Sequence, residues 1–303
     1  MKGEPKNIPA SVRARLLNLS RDRQEDYNLT LTRYVSERFL YRLGKSPCRQ
    51  DYVLKGAMLL TVSLDQLRYR PTRDIDMLRT GNQDEALIRA DIETICSVDG
   101  DSDGLLFDAS HATVEQIREH DRYQGMRIRI PVQLGNARIR LQIDLGFGDV
   151  VYPAPQSITL KTLLNQREPE VLAYPLEAVV AEKLEAVLSI GMTTSRMKDF
   201  FDVHVLATTC NFGRAALLRS IEATLHRRNT QLPTVVPTVL GEELLQDPNK
   251  QTQWRAFARR IERDPAQLSL AVVLEQVRSF LRIAWDRDFA ASVSRWTPEK
   301  GWH

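Results

Sequence analysis

The sequence is poor in the residues that build disulfide frameworks and zinc sites. Only three of its 303 residues are cysteines, and Cys48, Cys96 and Cys210 are far apart and odd in number. This argues against a disulfide-stabilised scaffold and against a C-x-x-C metal site. The five histidines form no H-x-x-x-H pair, so a zinc enzyme is not expected either.

Long apolar runs are also absent. No stretch approaches the roughly 20 apolar residues that span a bilayer, and the first residues, Met1 to Lys6, lead into no apolar signal core. We therefore expect a cytoplasmic protein with no membrane partner. The net charge of +3 is too small to indicate a nucleic-acid partner by itself, although arginine is clustered locally.

The residues that are present have an ordinary globular composition, with 43% hydrophobic and 27% charged residues. Hydrophobic periodicity predicts an α/β (α+β) fold, with a small mixed sheet flanked by helices and a mainly helical C-terminal domain. We place the domain boundary in a proline-containing stretch, which gives an N-terminal domain at 1–165 and a C-terminal domain at 166–303. The predicted elements are helices at 9–20, 27–43, 56–67 and 84–97, strands at 52–54 and 74–78, a β-hairpin at 126–145, and helices from 176 onward.

Three aspartates are predicted to share one open face of the sheet. Asp74 and Asp76 point to the same side of their strand because side chains alternate with a period of two, and Ile75 and Met77 point to the other. Asp144 lies on the polar side of the second hairpin strand, which we expect to end there. If the two strands are neighbours, the three carboxylates lie together.

Such a group of carboxylates favours a metal-dependent enzyme that handles a nucleoside triphosphate. Adjacent carboxylates repel each other unless a cation lies between them, and their hard oxygen atoms suit Mg²⁺ or Mn²⁺. The upstream turn Gly56-Ala57 would let backbone amides approach a phosphate. Lys183 interrupts the apolar stripe of its helix, where an ammonium must reach either solvent or an anion. We favour a triphosphate as that anion.

Arginines are clustered on the polar face of the hairpin. They are Arg127, Arg129, Arg138 and Arg140. Their charge either discourages edge-to-edge pairing of strands or forms a phosphate-binding surface for RNA. A second basic run, which includes Arg227 and Arg228, is expected to be a solvated helix face.

The sequence resembles the nucleotidyltransferase toxins of the AbiEii/AbiGii family, which includes the mycobacterial MenT toxins. The resemblance extends from about Ser11 to Ala207 and rests on four motifs. The first is a small-residue turn and a helix before R-x-T-x-D-h-D, which matches Gly56-Ala57, Arg70, Thr72, Asp74 and Asp76. The second is a lone aspartate on an apolar strand, which matches Asp144, and the third is a helical lysine before a small residue, which matches Lys183. The fourth is R-x-K-D-h-x-D, which matches Arg196, Lys198, Asp199 and Asp202. The family's turn is usually Gly-Gly or Gly-Ser, so Ala57 removes a hydroxyl and predicts a weaker phosphate contact.

The resemblance implies a DNA-polymerase-β-like nucleotidyltransferase fold and a toxin of a toxin–antitoxin or phage-defence pair. It implies Mg²⁺-dependent transfer of nucleotides from a nucleoside triphosphate to RNA, with tRNA 3′ ends as the expected acceptor and a winged-helix regulator as the expected antitoxin. Asp74, Asp76 and Asp144 would bind the metal and, with Lys183 and Asp199, form the catalytic set. The nucleotide-binding residues would be Gly56, Ala57, Arg70, Thr72, Lys183, Arg196 and Lys198, and the four hairpin arginines would bind RNA.

Two other interpretations remain open. The acceptor hydroxyl could belong to a protein Ser, Thr or Tyr, which would make the chain a protein-nucleotidylating or protein-phosphorylating enzyme. Alternatively, the chain could be a non-catalytic nucleotide- or RNA-binding module. The three carboxylates count against the module, because binding alone does not need them.

Overall fold

A computed structural model describes residues 7–63, 70–119, 123–261, 263–264 and 267–303. The chain divides into two compact units, and each contains two segments. The first unit contains Met1–Gly148 and Gln156–Ala173, and the second contains Asp149–Pro155 and Tyr174–His303. The domain boundary predicted at 165/166 lies within the second segment of the first unit, because that segment adds two strands to the sheet.

The first unit has a mixed sheet flanked by helices, as the sequence predicts. Its helices are α1 (Ile8–Arg23), α2 (Tyr27–Lys45), α3 (Gly56–Ser63) and α4 (Glu85–Ser97). Its strands are β1 (Tyr52–Lys55), β2 (Asp74–Arg79), β3 (Leu105–Phe107), β4 (Thr113–Glu119), β5 (Tyr123–Leu134), β6 (Ala137–Phe147), β7 (Gln156–Thr159) and β8 (Glu170–Ala173). The end of the predicted helix 56–67, from residue 64, lies outside the described residues.

The described strands of this sheet have the order β3-β5-β6-β2-β1-β8-β7, and β4 also pairs with β5. Strand β2 is antiparallel to β1 and parallel to β6, while β5 and β6 form the predicted hairpin. Strand β6 continues past Asp144 to Phe147, so the prediction that Asp144 ends its strand is wrong. The sheet is larger than predicted because the short strands β3, β4, β7 and β8 lack a clear alternating pattern.

Local sequence signals explain where several of these elements begin and turn. The Asp26 side chain accepts a hydrogen bond from the backbone N–H of Leu29 and caps α2, and Asp84 caps α4 through Ala86 in the same way. Gly135 has a positive φ of 58° in the hairpin turn, a conformation that glycine adopts without a steric cost. Helix α2 then packs against β6 and β8, on the side that carries the apolar side chains of the sheet.

The second unit is mainly helical, which confirms the prediction for the chain from residue 176 onward. Its helices are α5 (Leu176–Ile190), α6 (Met197–Thr209), α7 (Arg214–Arg227), α8 (Glu242–Gln246), α9 (Pro248–Arg260), α10 (Leu270–Leu281) and α11 (Arg287–Ser292). A small sheet of β9 (Phe212–Gly213), β10 (Arg295–Thr297) and β11 (Gly301–Trp302) accompanies them. Among the helices that the structure describes, none is long and apolar enough to cross a membrane.

Aromatic rings join the small sheet to the helices of this unit. The Phe280 ring lies 5.0 Å from both Phe212 and Trp296, measured between ring centroids. The indole N–H groups are paired as well, since Trp296 donates to the carbonyl of Ala207 and Trp302 to that of Phe280, each over 2.7 Å. Burying these rings with their N–H groups satisfied stabilises the unit.

Charged side chains are buried along α2 in the first unit. Arg42 forms an ion pair with Asp103, and Glu37 accepts a 2.7 Å hydrogen bond from the backbone N–H of Leu163. Burial outweighs that hydrogen bond and the nearby Arg38 charge, and it raises the pKa of Glu37 to about 7. Glu37 therefore holds a proton in the folded protein at pH values where the unfolded chain has released it.

Replacing Glu37 by Gln tests this. Between pH 4.5, the ordinary value, and about 7, the wild-type folded state binds one more proton than the unfolded state, so its stability falls by up to about 1.4 kcal/mol per pH unit. Glu37→Gln lacks this loss, so its stability relative to the wild type should rise over that pH range and level off above it. Urea unfolding from pH 4 to 8 measures the difference, with the exposed Glu85→Gln as control. A difference that does not change with pH would contradict the raised pKa.

Candidate active site

Strands β2 and β6 bring the predicted aspartates together. In their parallel register Asp76 lies opposite Asp144, and Asp74 lies opposite Gln142. The aspartates of β2 are half-buried, whereas Ile75 and Met77, on the other face of the strand, are fully buried. All three carboxylates therefore lie on the same, more open face of the sheet, as expected from the alternation of side chains.

The turn at Gly56 packs directly against this face. Strand β1 places Lys55 opposite Asp76, and Gly56 follows with a positive φ of 71°. A Cβ atom at Gly56 would lie 2.1 Å from Oδ2 of Asp76 and 2.7 Å from its Cβ, so only glycine fits. Ala57, the next residue, is buried in the core. Helix α3 begins at this turn, and the first N–H groups of a helix have no partner within the helix.

The residues before Asp74 support its backbone. Thr72 donates a hydrogen bond from its hydroxyl to the carbonyl of Asp74 over 3.4 Å. Arg70 lies in the same segment before β2, which has no regular secondary structure, and it is half-buried. Arg70 and Thr72, which are predicted to bind the nucleotide, thus lie just before β2 in the chain.

The four hairpin arginines differ in their surroundings. Arg127 donates two hydrogen bonds to Asp144, from Nε to Oδ1 over 2.8 Å and from Nη2 to Oδ2 over 2.7 Å. The hydrogen bonds with Asp144 are the main cause of the raised pKa of Arg127. Arg129 pairs with Glu115 of β4 over 2.6 Å. Arg138 and Arg140 are exposed on the same face.

The second unit contains a buried ion cluster around Lys183 of α5. Its ammonium forms ion pairs with Asp202 and, over 3.1 Å, with Asp199, both on α6. Arg196 donates to the other oxygen of Asp199 over 2.5 Å. These carboxylates supply the anion that an ammonium in an apolar stripe requires. Lys198, in contrast, is exposed.

The charges in this cluster determine the state of Asp199. Burial by itself would raise the pKa of this carboxyl group, but Lys183 and Arg196 outweigh it and hold the pKa below the ordinary value. The carboxylate is therefore ionised in the folded protein, and the stability that this provides is lost as the pH falls through the lowered pKa.

Arg228 is a half-buried residue whose ion pairs the sequence does not reveal. We predict a solvated helix face, and for Arg228 this is wrong, because its guanidinium contacts three acidic side chains. Asp149 lies 3.0 Å away, Glu182 3.1 Å and Glu185 2.9 Å. The two glutamates are on α5, on either side of Lys183 in the sequence. Burial would lower the pKa of Arg228, but the neighbouring carboxylates raise it instead. One arginine among three distant acids leaves no local signal in the sequence.

The chemistry of the aspartates fits a small divalent cation. Mg²⁺ is usually held by one or two carboxylates together with waters and substrate phosphates, so the neighbours Asp76 and Asp144 have the right oxygen ligands. Within the described ranges, no group of three or more His, Cys, Asp or Glu side chains is arranged to hold a metal ion. The metal set of Asp74, Asp76 and Asp144 stays a prediction.

Replacing Gly56 by Ala tests the close approach to Asp76. The new methyl group would adopt an unfavourable positive φ and collide with the carboxylate, so we expect a loss of about 1–3 kcal/mol in stability. Urea unfolding measures this loss. Gly213→Ala is the control, because a Cβ atom there meets no other atom within 4 Å. If Gly56→Ala were as stable as that control, Asp76 would not require a glycine at this position.

Replacing Lys183 by Met tests the buried ion cluster. The substitution leaves Asp199 and Asp202 buried without their ammonium, and removing one partner of a buried ion pair costs about 3–5 kcal/mol. Calorimetry should show a lower Tm for Lys183→Met, and a triple variant that also carries Asp199→Asn and Asp202→Asn should recover part of the loss. Lys198→Met, at an exposed lysine, is the control. An unchanged Tm in Lys183→Met would mean that the cluster contributes nothing to folding.

Comparison with known proteins identifies the family of this chain. The sequence model of one family, described as "Nucleotidyl transferase AbiEii toxin, Type IV TA system", matches residues 38–290. Among solved structures, JHP933 from Helicobacter pylori is similar at 14% identity and a TM-score of 0.44, covering 84% of this chain and 90% of its own. Another, described as "putative nucleotidyltransferase from H. pylori", has 14% identity and a TM-score of 0.37, covering 77% of this chain and 93% of its own. A search of curated proteins found no match. The family match covers most of the sequence, and the chain therefore belongs to the AbiEii family of nucleotidyltransferase toxins of type IV toxin–antitoxin systems.

Proposed function

We propose that the protein is a Mg²⁺-dependent nucleotidyltransferase toxin that transfers nucleotides from a nucleoside triphosphate to RNA, with tRNA 3′ ends as the acceptor. The observation that carries this proposal is the register of β2 and β6, which sets Asp76 beside Asp144. Gly56 brings the backbone close to the carboxylate of Asp76. Family membership supports the reaction class, and the acceptor is inferred from the resemblance to the MenT toxins.

In this proposal Asp74, Asp76 and Asp144 hold Mg²⁺ or Mn²⁺. When bound, the metal would activate the acceptor hydroxyl and neutralise the charge that develops on the leaving pyrophosphate. The backbone amides at Gly56 and Ala57 would contact the phosphates of the nucleotide, because amides at a helix N-terminus favour anions.

Further residues are proposed to contact the triphosphate. Arg70 and Thr72 belong to the lead-in to β2 in the first unit. Lys183, Arg196 and Lys198 belong to the second unit. Asp199 and Asp202 orient the ammonium of Lys183 through their ion pairs with it, and for this reason we include Asp199 in the catalytic set.

The RNA would bind to the arginine side of the sheet. Arg138 and Arg140 are exposed there, and Arg129 lies on the same face of the neighbouring strand, opposite Gln142. Contacts of this kind attract phosphates without reading the sequence, and they weaken as salt increases, because binding releases counterions.

We expect the affinity for tRNA to fall steeply as the salt concentration rises, and we expect the Arg138→Gln/Arg140→Gln variant to show a shallower salt dependence.

The partner in the cell would be a cognate antitoxin, since membership of a toxin–antitoxin family implies one. We propose that this antitoxin is a winged-helix regulator, as in the family that the sequence resembles. A gene for such a regulator beside the toxin gene would support the pairing.

Labelled nucleotides test the reaction directly. The protein is incubated with total tRNA, Mg²⁺ and one labelled nucleoside triphosphate at a time, with total cell protein as a parallel acceptor. Label should appear at tRNA 3′ ends with the wild type and be lost in Asp74→Asn and Asp76→Asn, because an amide is a poorer ligand for Mg²⁺ than a carboxylate. Expression of the wild type alone should slow bacterial growth, while Asp76→Asn should not.

The same assay separates the alternatives. Label on protein and never on RNA would replace the RNA acceptor by a protein hydroxyl. Nucleotide binding without transfer to either acceptor would indicate a non-catalytic binding module. Full activity in both aspartate variants would contradict the metal site itself.

A further inference from the structure

Both carboxylate oxygens of Asp144 are held by one guanidinium. Arg127 contacts Oδ1 through Nε over 2.8 Å and Oδ2 through Nη2 over 2.7 Å, and this bidentate geometry is the strongest form of an arginine–carboxylate pair. Gln142 adds weaker contacts from Nε2, at 3.3 Å to Oδ1 and 3.5 Å to Oδ2. The pair is partly protected from water, since 30% of the Arg127 side chain and 19% of the Asp144 side chain are exposed.

Strand pairing places this arginine at the end of a row of charges. Arg127 of β5 lies directly opposite Asp144 of β6, and Asp144 lies opposite Asp76 of β2. Across three neighbouring strands the order is therefore one cation followed by two carboxylates.

The other arginines of the hairpin do not share this arrangement. Arg129 is paired with Glu115, on a different strand. Arg138 and Arg140 extend into solvent from the far end of β6. Arg127 thus differs from the arginines with which the sequence groups it, and an RNA phosphate could reach it only in competition with Asp144.

We propose that Arg127 is a positioning residue that holds Asp144 and competes with a divalent cation for it. This inference rests on the proposed function, because it concerns the same metal site. Hydrogen bonds from the guanidinium occupy both oxygens of the carboxylate, and its positive charge offsets the negative potential that attracts a metal ion. Removing the guanidinium should therefore strengthen metal binding by the free protein, although it also removes the group that orients Asp144.

The test is a titration of the free protein with Mn²⁺, in which electron paramagnetic resonance measures the unbound ion. We expect Arg127→Gln to bind Mn²⁺ about tenfold more tightly than the wild type, the change expected when a charged hydrogen-bonded pair no longer competes. Arg127→Lys keeps the charge but loses the bidentate contact, so its gain should be smaller. Arg138→Gln, which removes an arginine from the same face, should leave the Mn²⁺ affinity unchanged.

A double-mutant cycle shows whether the effect passes through Asp144. In an Asp144→Asn background, Arg127→Gln should change the affinity for Mn²⁺ much less than it does in the wild type, because the hydrogen-bonded pair is already broken. Equal affinities in Arg127→Gln and the wild type would overturn the inference, as would a gain of undiminished size in the Asp144→Asn background. If Arg127→Gln fails to fold, the gain in Arg127→Lys and its reduction in the same background decide the question.

Failure of the proposed function gives a different result. If Asp74→Asn and Asp76→Asn leave Mn²⁺ binding unaffected, the proposed metal site is wrong, and so is the proposed competition for it. If these variants abolish Mn²⁺ binding while Arg127→Gln leaves the affinity unchanged, the metal site is supported and only the role of Arg127 is wrong.

Discussion

The parallel pairing of β2 with β6 is the constraint on which the candidate site depends. Asp76 and Asp144 are distant in the sequence and become neighbours only through this register. The register is in turn held by the core, because a shift of one residue would expose the buried Ile75 and Met77 and bury the aspartates. Packing of the apolar face of the sheet thus fixes the register of β2 and β6. That register in turn fixes the positions of the aspartates on the polar face.

Three of the acidic groups described above each have a cation of their own. Asp144 has Arg127, the pair Asp199 and Asp202 has Lys183, and the cluster that contains Glu185 has Arg228. Burying charges in this way contributes little net stability, since desolvation opposes the attraction between them, but leaving one member alone is costly. Charge-changing substitutions at these positions therefore affect folding as well as chemistry, and a loss of activity by itself does not identify a catalytic residue.

The sequence predicts those parts of the structure that depend on local pattern. The alternation in 126–145 yields the hairpin, and the same parity places Asp144 on the polar face. Ion-pair partners that are set by tertiary contacts cannot be predicted from the sequence. A lysine in an apolar stripe signals an anion but does not say whether that anion is a ligand or Asp202, and Arg228 has its acids in two other segments of the chain. Strands β7 and β8 are missed because they are four residues long and flank prolines.

The aromatic cluster of the second unit has a consequence for spectroscopy. All four tryptophans of the chain, Trp254, Trp285, Trp296 and Trp302, belong to that unit, and the first unit has none. Intrinsic tryptophan emission is therefore a local reporter of the helical unit, whereas circular dichroism records both units. Unfolding curves from the two signals need not coincide, and a larger gap between their midpoints indicates weaker coupling between the stability of the sheet that carries the aspartates and that of the helical unit.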